Sequence, residues 1–485
     1  MSAALECDIC IVGAGSAGLL VAAGAAQLGA ATVLIERGKM GGDCLNYGCV
    51  PSKALLAAAK TVASCRDAGR FGVTTGEPEI DFPAVIRHVH DVIATIAPND
   101  SVARFEGLGA TVIHATARFT APDEIVADDI VAGERRIRAR RFVIATGSAP
   151  SAPPIPGLDQ IPYLTNETIF DNTVRPDHLI IIGGGPIGME MAQAHLRLGS
   201  RVTVLEAAQI LAKDDPELAV VLRDRLLAEG VAIREGAAIA RIEAVAGGIA
   251  AIIGGPNQDK PGGEERIVGS HLLVAAGRRP NIAELDLEKA GIAHGKQGIL
   301  VDARLRTTNR HVFAIGDVAG GPQFTHVAGY HAGIVIRNAL FRIPARVDYR
   351  ALPWVTYTDP ELAHVGLTEA AARARHGSDI AILRSAFHEN DRAQTERTTH
   401  GLIKVVTRRN GRILGASILG PHAGELIHPW VLAIGQRLKI KAMAGMIAPY
   451  PTLGEVGKRA ASSFYIAKLF SRRTKKLVRF LARFG

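Results

Sequence analysis

A chain of 485 residues with 48% hydrophobic and 21% charged positions has room for roughly two to four globular domains and is too apolar to be a disordered protein. Its five cysteines all fall at or before Cys65, which excludes a secreted disulfide framework, and no apolar run approaches the length of a membrane span. The excess of nine positive charges is local. After Glu455 there is no acidic residue but nine basic ones (Lys458, Arg459, Lys468, Arg472, Arg473, Lys475, Lys476, Arg479 and Arg483), so the body is neutral and offers no footprint for nucleic acid. Asp8 interrupts the first apolar run at once, so the N-terminus does not read as a secretory leader and the expected location is cytoplasmic.

Residues 7–12 form an apolar strand that enters Gly13-Ala-Gly15-Ser-Ala-Gly18 and an Ala-rich helix; a second strand, Ala31 to Ile35, ends at Glu36. Glycines at this spacing permit a tight turn and close approach of a pyrophosphate, the helix N-terminus favours the phosphates, and the strand-end acid suits a ribose. Cys7 and Cys10 lie on the first strand, where alternation points residues three apart to opposite faces. They are expected to diverge as core residues, and Cys65, alone on a helix, is expected to be inert. No structural metal site is expected.

Next comes Gly41-Gly42-Asp43-Cys44-Leu-Asn-Tyr-Gly-Cys49-Val-Pro51-Ser-Lys53. Pro51 suits a first helical turn and the Ala/Leu run from Ala54 to Ala59 propagates the helix. Two cysteines at a helix N-terminus, with Lys53 one turn beyond Cys49, have the setting that lowers a thiol pKa. The pattern reads as a disulfide that opens and closes.

Residues 81–108 read as a helix and residues 111–144 as short strands ending in Phe142-Val-Ile-Ala-Thr146-Gly147, before a stiff linker at Pro150, Pro153, Pro154 and Pro156. The dinucleotide pattern then recurs: strand 179–182, Gly183-Gly-Gly185-Pro-Ile-Gly188, a helix, and strand 202–205 ending at Glu206. One constant offset carries every glycine and the acid of the first copy onto the second, Gly13 onto Gly183 and Glu36 onto Glu206. Two such units imply two dinucleotides. Leu273-Val-Ala-Ala-Gly277-Arg-Arg-Pro-Asn281 closes the second unit, and Val312-Phe-Ala-Ile-Gly316-Asp317 is an apolar strand running into Gly-Asp. Strand-like segments at Trp354–Thr358, Leu402–Thr407 and Ile413–Leu419 follow.

The cysteine stretch, taken with these motifs in this order, resembles the flavoprotein disulfide reductases, which include lipoamide dehydrogenase, glutathione reductase and mercuric reductase. The resemblance covers residues 5–465. It implies an α/β fold with two Rossmann-type domains and a C-terminal α+β dimerisation domain. The expected division is 1–150 and 281–348 for FAD, 151–280 for the nicotinamide, 349–465 for the interface and 466–485 for a basic tail. By resemblance, Cys49 faces the flavin as the charge-transfer thiolate, Cys44 meets the substrate, and Lys53, near the flavin N5, pairs with Glu190. FAD would be held by Gly13, Gly15, Gly18, Glu36, Gly42, Thr146, Gly147, Gly316, Asp317 and Ala328. The nicotinamide would be held by Gly183, Gly185, Gly188, Glu206 and Gly277. Asp43 stands where the family usually has Thr. Glu206, followed by Ala207 and Ala208, predicts NADH over NADPH, because an acid there repels a 2′-phosphate.

The last motif bears on the acceptor. Lipoamide dehydrogenase and glutathione reductase place a His before Pro-Thr and a Glu five residues after that His, an acid–base dyad that completes the partner's site in a homodimer. Here Tyr450 occupies the His position and Glu455 remains. An unperturbed Tyr titrates near pH 10 and is a poor base at neutral pH. Mercuric reductases carry Tyr in a similar setting, and Pro322-Gln-Phe-Thr325-His326-Val-Ala328 also looks closer to theirs; yet their C-terminal cysteine pair has no counterpart after Cys65. The leading reading is an NAD(P)H-dependent flavoenzyme that passes electrons through Cys44–Cys49 to a soft metal ion such as Hg(II). The alternatives are a divergent dihydrolipoamide dehydrogenase acting on a lipoyl or other disulfide, and a redox-sensing or membrane-docked binding protein with vestigial catalysis. From Phe464 on, Leu469, Phe470, Leu477, Phe480, Leu481 and Phe484 alternate with basic residues as a basic amphipathic helix. It is expected to lie on an anionic membrane, to dock an acidic partner, or to stay solvated.

Overall fold

The computed structural model describes residues 4–129, 133–254 and 264–484. The chain forms two compact units: Met1–Gly183, Ala194–Leu205 and Ala237–Val347 in one; Gly184–Gln193, Glu206–Gly236 and Asp348–Gly485 in the other. The architecture is α/β.

In the first unit, β1 (Leu5–Val12) is flanked by two parallel neighbours, β2 (Thr32–Glu36) and β5 (Gly133–Ile144), and the short strand Val312–Ala314 adds in parallel beyond β5. Both faces of this sheet are covered, which is why Ile9 to Val12 is an unbroken apolar run. β3 (Ala110–Ala121) and β5 are long enough to leave the parallel sheet and pair antiparallel with β4 (Glu124–Asp129), making a meander on its far end. A second parallel set, His271–Val274 with His178–Ile182 with Arg201–Glu206, carries the second glycine turn, beside an antiparallel three-stranded sheet of Ala238–Val245, Gly248–Gly254 and Glu265–Gly269. The second unit is built on a five-stranded antiparallel sheet whose core includes Trp430 under the helix Glu455–Leu469.

Two expectations fail for identifiable reasons. Cys7 and Cys10 do not diverge: both join Val12 in one cluster, while Ile9 and Ile11 join the other. Asp8 N and Ile9 N both donate to Ala31 O, at 2.9 and 3.2 Å. Strict alternation therefore does not hold through Asp8, and Cys7 packs on the side of Cys10. Burial first, and the neighbouring Cys7 second, push the Cys10 thiol well above its ordinary value, and both cysteines are buried core residues. The helix expected over 81–108 is three pieces, Phe82–Ile96, Ala97–Asp100 and Val102–Gly107. Pro98 stops the first ladder, and Ser101 restarts the chain by accepting Arg104 N.

Candidate redox site

The redox loop is seated by backbone contact. After β1 the chain turns at Gly13, φ +104°, where a Cβ would lie 2.5 Å from Ala145 O. It then enters α1 (Ser16–Gln27), whose N-terminus has neither a side-chain cap nor an acid in its first turn. Gly41 N donates to Ala14 O at 3.0 Å, and a Cβ on Gly42 would come within 2.7 Å of Gly15 Cα. The loop therefore lies directly on the first glycine turn, at a distance only glycine permits. Two short helices follow, α2 (Gly42–Asn46) carrying Cys44 and α3 (Cys49–Asp67) opening on Cys49.

Both cysteines are thiols in the structure. They are hydrogen-bonded to each other, and the bond is unequal in effect. Cys44 is raised far above the ordinary thiol value, chiefly by that bond and then by burial. Cys49 is lowered to about 6, chiefly by the bond from Cys44, then by Thr325, with Lys53 assisting and burial and Asp43 opposing. Thr325 Oγ1 lies 3.2 Å from Cys49 Sγ, and Ser16 also bonds Cys44. Cys49 thus combines a helix N-terminus, two hydrogen-bonding neighbours and a lysine charge, all of which favour a thiolate. Cys44 keeps the proton.

Asp43 ties this loop down. Its Oδ1 accepts Asn166 Nδ2 at 3.0 Å and lies 3.2 Å from Arg278 Nη2. Arg278 Nε donates to Ser148 Oγ at 2.7 Å, which donates to Asp317 Oδ2 at 2.5 Å. Burial, the largest influence, raises the Asp317 carboxyl against the lowering effect of Ser148 and Arg278. The Gly316 N–H is held by the buried His331 Nδ1 at 3.1 Å; burial lowers that histidine to about 4, so it is neutral and accepts. Sequence reasoning named neither Ser16, Asn166 nor Ser148, and gave Arg278 and His331 no role.

Two family models match the chain: pyridine nucleotide-disulphide oxidoreductase over residues 7–332, and the dimerisation domain of the same family over residues 352–461. The chain belongs to the pyridine nucleotide-disulphide oxidoreductases. It is 37% identical to a mercuric reductase of Streptomyces lividans over 95% of this chain and 97% of that one. It is 33% identical to a dihydrolipoyl dehydrogenase of Chlamydia muridarum over 94% and 96%. Among solved structures it resembles the HOCl-induced flavoprotein disulfide reductase RclA from Escherichia coli, as its Cu(II) complex, with TM-score 0.84 and 28% identity over 94% of this chain and 99% of that one. LpdA from Mycobacterium tuberculosis gives 0.86 and 27% over 95% and 99%. The protein is therefore an NAD(P)H-dependent flavoprotein disulfide oxidoreductase with a dimerisation domain, the assembly that domain supports being a homodimer. Among the described residues no helix is long and apolar enough to cross a membrane, and no cluster of three His, Cys, Asp or Glu suits a metal ion.

The chain's own residues fit the two dinucleotides the family uses. At the first turn, Glu36 Oε2 accepts Ala14 N at 2.6 Å and its Oε1 accepts Gly38 N at 2.7 Å, which fixes the acid at the strand end. Gly18 admits no side chain, since a Cβ would lie 1.8 Å from Gly13 O. Thr146 and Asn281 exchange hydrogen bonds at 2.8 and 3.0 Å beside Gly147, φ +67°. Gly316, φ +70°, sits against Ala17 and Ala328. At the second turn Gly183, φ +112°, repeats the 2.5 Å approach to a carbonyl, here Ala275 O. Glu206 Oε2 accepts Gly184 N at 2.7 Å and Oε1 accepts Ala208 N at 2.9 Å. Gly185 opens the helix Pro186–Arg197, on which Gly188 and Glu190 lie; Glu190 is buried and accepts Tyr357 N at 2.9 Å. Gly277 has φ +154°. Lys53 Nζ lies 3.3 Å from Ser52 Oγ.

In the second unit Tyr450 is 71% exposed and its hydroxyl donates to Asp391 Oδ2 at 3.0 Å. That bond, then the Asp391 charge, raises the phenol above its ordinary value. Glu455 begins the helix Glu455–Leu469, and its Oε2 accepts Thr452 N at 3.4 Å. Asp391 carries no sequence signal; it lies 59 residues from the tyrosine it binds.

Proposed function

We propose that this enzyme uses NADH to reduce a soft metal ion of the Hg(II) class at Cys44 and Cys49. The observation that carries the reading is the Tyr450–Asp391 hydrogen bond. Disulfide exchange needs a group that takes a proton from a thiol and returns it near neutral pH. At this position stands a phenol whose proton is committed to a carboxylate and whose pKa is raised. Reduction of a soft cation needs thiolates and no base, since thiolate sulfur binds such ions outright. The 37% identical mercuric reductase points the same way.

FAD, when bound, supplies the transfer of two electrons from the nicotinamide to the Cys44–Cys49 disulfide. Cys49 then holds the thiolate, steadied by Thr325 and Lys53, while Cys44 keeps its proton until an acceptor arrives. The metal ion takes two electrons from the pair and leaves as the neutral metal; a sulfur–sulfur bond forms and the Cys44 proton is released to solvent. Glu206, held by two backbone N–H groups and followed by alanines, favours a free ribose 2′-hydroxyl, hence NADH.

Retention of Glu455 and the 33% identical dihydrolipoyl dehydrogenase support a second reading, a divergent enzyme for lipoyl or other disulfides. Steady-state NADH oxidation by the FAD-loaded protein separates the two, with thiol-complexed Hg(II) and oxidised lipoamide as rival acceptors and Cys44→Ser as control. Turnover with Hg(II) that vanishes in the control is expected. Turnover with lipoamide alone would overturn the metal reading. Equal kcat/KM for NADH and NADPH would overturn the cofactor preference.

A further inference from the structure

The C-terminal end contrasts with everything before it. The helix Glu455–Leu469 is anchored in a core, with Val456, Ala460 and Ala461 buried. It does not continue as one amphipathic helix into the tail. The ladder stops at Phe470, and Ser471 caps a new helix, Arg472–Leu481, by accepting Thr474 N at 3.2 Å. Thr474 Oγ1 also donates to Lys468 O at 2.8 Å, bracing the junction.

This last helix is well started and buries nothing. Leu477, Val478, Phe480, Leu481 and Phe484 are each at least 53% exposed, and the Phe480 and Phe484 rings meet edge to face, 5.1 Å apart. At 100° per residue Leu477, Val478, Phe480 and Leu481 share an arc of roughly 160° of this helix, with Arg472, Lys475, Lys476 and Arg479 on the remainder and Arg473, in the first turn, inside the apolar arc. A ten-residue helix is marginal in water on its own, so a face of this kind is stabilised by what covers it. Charge decides between the possible covers. No acidic residue follows Glu455, so a second copy of the same tail would set like charges together, and nucleic acid would leave the leucine and phenylalanine face in water. An anionic bilayer surface meets both halves at once, the apolar arc entering the acyl boundary and the basic arc meeting headgroups.

We propose that the segment from Leu469 to Phe484 is a surface anchor that seats the enzyme on anionic membranes without crossing them. The FAD-loaded full chain should co-sediment with vesicles containing phosphatidylglycerol at least about tenfold better than with pure phosphatidylcholine, and less well as salt rises. A chain ending at Leu469 should lose that binding while keeping its NADH-dependent flavin reduction. The double variant Leu477→Asp/Phe480→Asp, which leaves every basic residue in place, should lose it as well. Equal sedimentation of full and truncated chains would overturn the proposal. So would a truncated chain that binds vesicles no worse but falls from dimer to monomer, for then the face is a subunit contact.

Discussion

The two glycine turns are the same frame put to different uses. Related by one constant offset in the chain, Gly13 and Gly183 make the same 2.5 Å approach to a strand-end carbonyl, and Glu36 and Glu206 accept the same pair of backbone N–H groups. The correspondence runs further than the glycine motif. Gly41 N donates to Ala14 O, and at the matching positions of the second copy Leu211 N donates to Gly184 O, both at 3.0 Å. Leu211 even keeps a positive φ, +50°, against +88° at Gly41. There the copies part. Gly41 leads into Cys44 and the redox helices, whereas the position matching Cys44 is Asp214, raised to about 6 by burial and bound to Trp354 Nε1 at 2.8 Å. A nucleotide frame needs only backbone; the chemistry depends on what is attached where the frame ends.

The largest effects should follow from removing that attachment. Cys44→Ser and Cys49→Ser should each cut acceptor turnover at least about a thousandfold while NADH still reduces the flavin, read by stopped-flow bleaching. Loss of flavin reduction as well would mean the cysteines also hold the frame. Equal steric insult to the two frames should then separate them. Gly13→Ala drives a Cβ into Ala145 O and should cost FAD content and roughly 1–3 kcal/mol of stability. Gly183→Ala, with the same clash against Ala275 O, should leave FAD bound but raise KM for NADH. The checks are the flavin-to-protein absorbance ratio and steady-state kinetics.

What the sequence made legible were features enforced by backbone geometry. Turn glycines, strand-end acids and a cysteine at a helix start are fixed by sterics and dipoles within a few residues, so local spacing reveals them. Thr325 lies 276 residues from Cys49, Arg278 and Asn166 reach Asp43 across the fold, and Asp391 reaches Tyr450 from the start of the helix Asp391–Thr395. No periodicity encodes such meetings. The divergence expected of Cys7 and Cys10 failed for the opposite reason: strict alternation was applied through Asp8, where Asp8 N and Ile9 N share Ala31 O.

One core position also differs between the copies. Ala25, buried in the helix of the first, corresponds to His195 in the second, fully buried with neither ring nitrogen hydrogen-bonded among the described residues. Burial, then the nearby His271, lowers this histidine to about 4. Its folded-state value lies below the unfolded one near 6.5, so stability is complete above pH 6.5 and falls as pH drops toward 4, with a slope on the order of 1 kcal/mol per pH unit. His331, also lowered to about 4, contributes to the same limb, so His195→Leu should make it shallower rather than abolish it in denaturant titrations at pH 7 and pH 5. An unchanged slope would place the acid sensitivity elsewhere.

At the cysteines themselves the effects are smaller and their signs are the test. Thr325→Ala removes a hydrogen bond to the Cys49 thiolate, so its apparent pKa should rise by about 1, with Thr325→Ser restoring it, measured as site-resolved alkylation rate against pH. Asp43 works the other way, since its charge opposes the thiolate while its oxygen ties Asn166 and Arg278 to the loop. Asp43→Asn keeps an acceptor and removes the charge, so the Cys49 pKa should fall by a few tenths. Asp43→Thr, the residue usual in the family, shortens the reach to Arg278 and should also raise the temperature sensitivity of the loop to proteolysis. A rise in the Cys49 pKa on Asp43→Asn would mean that the tether, rather than the charge, governs the thiolate.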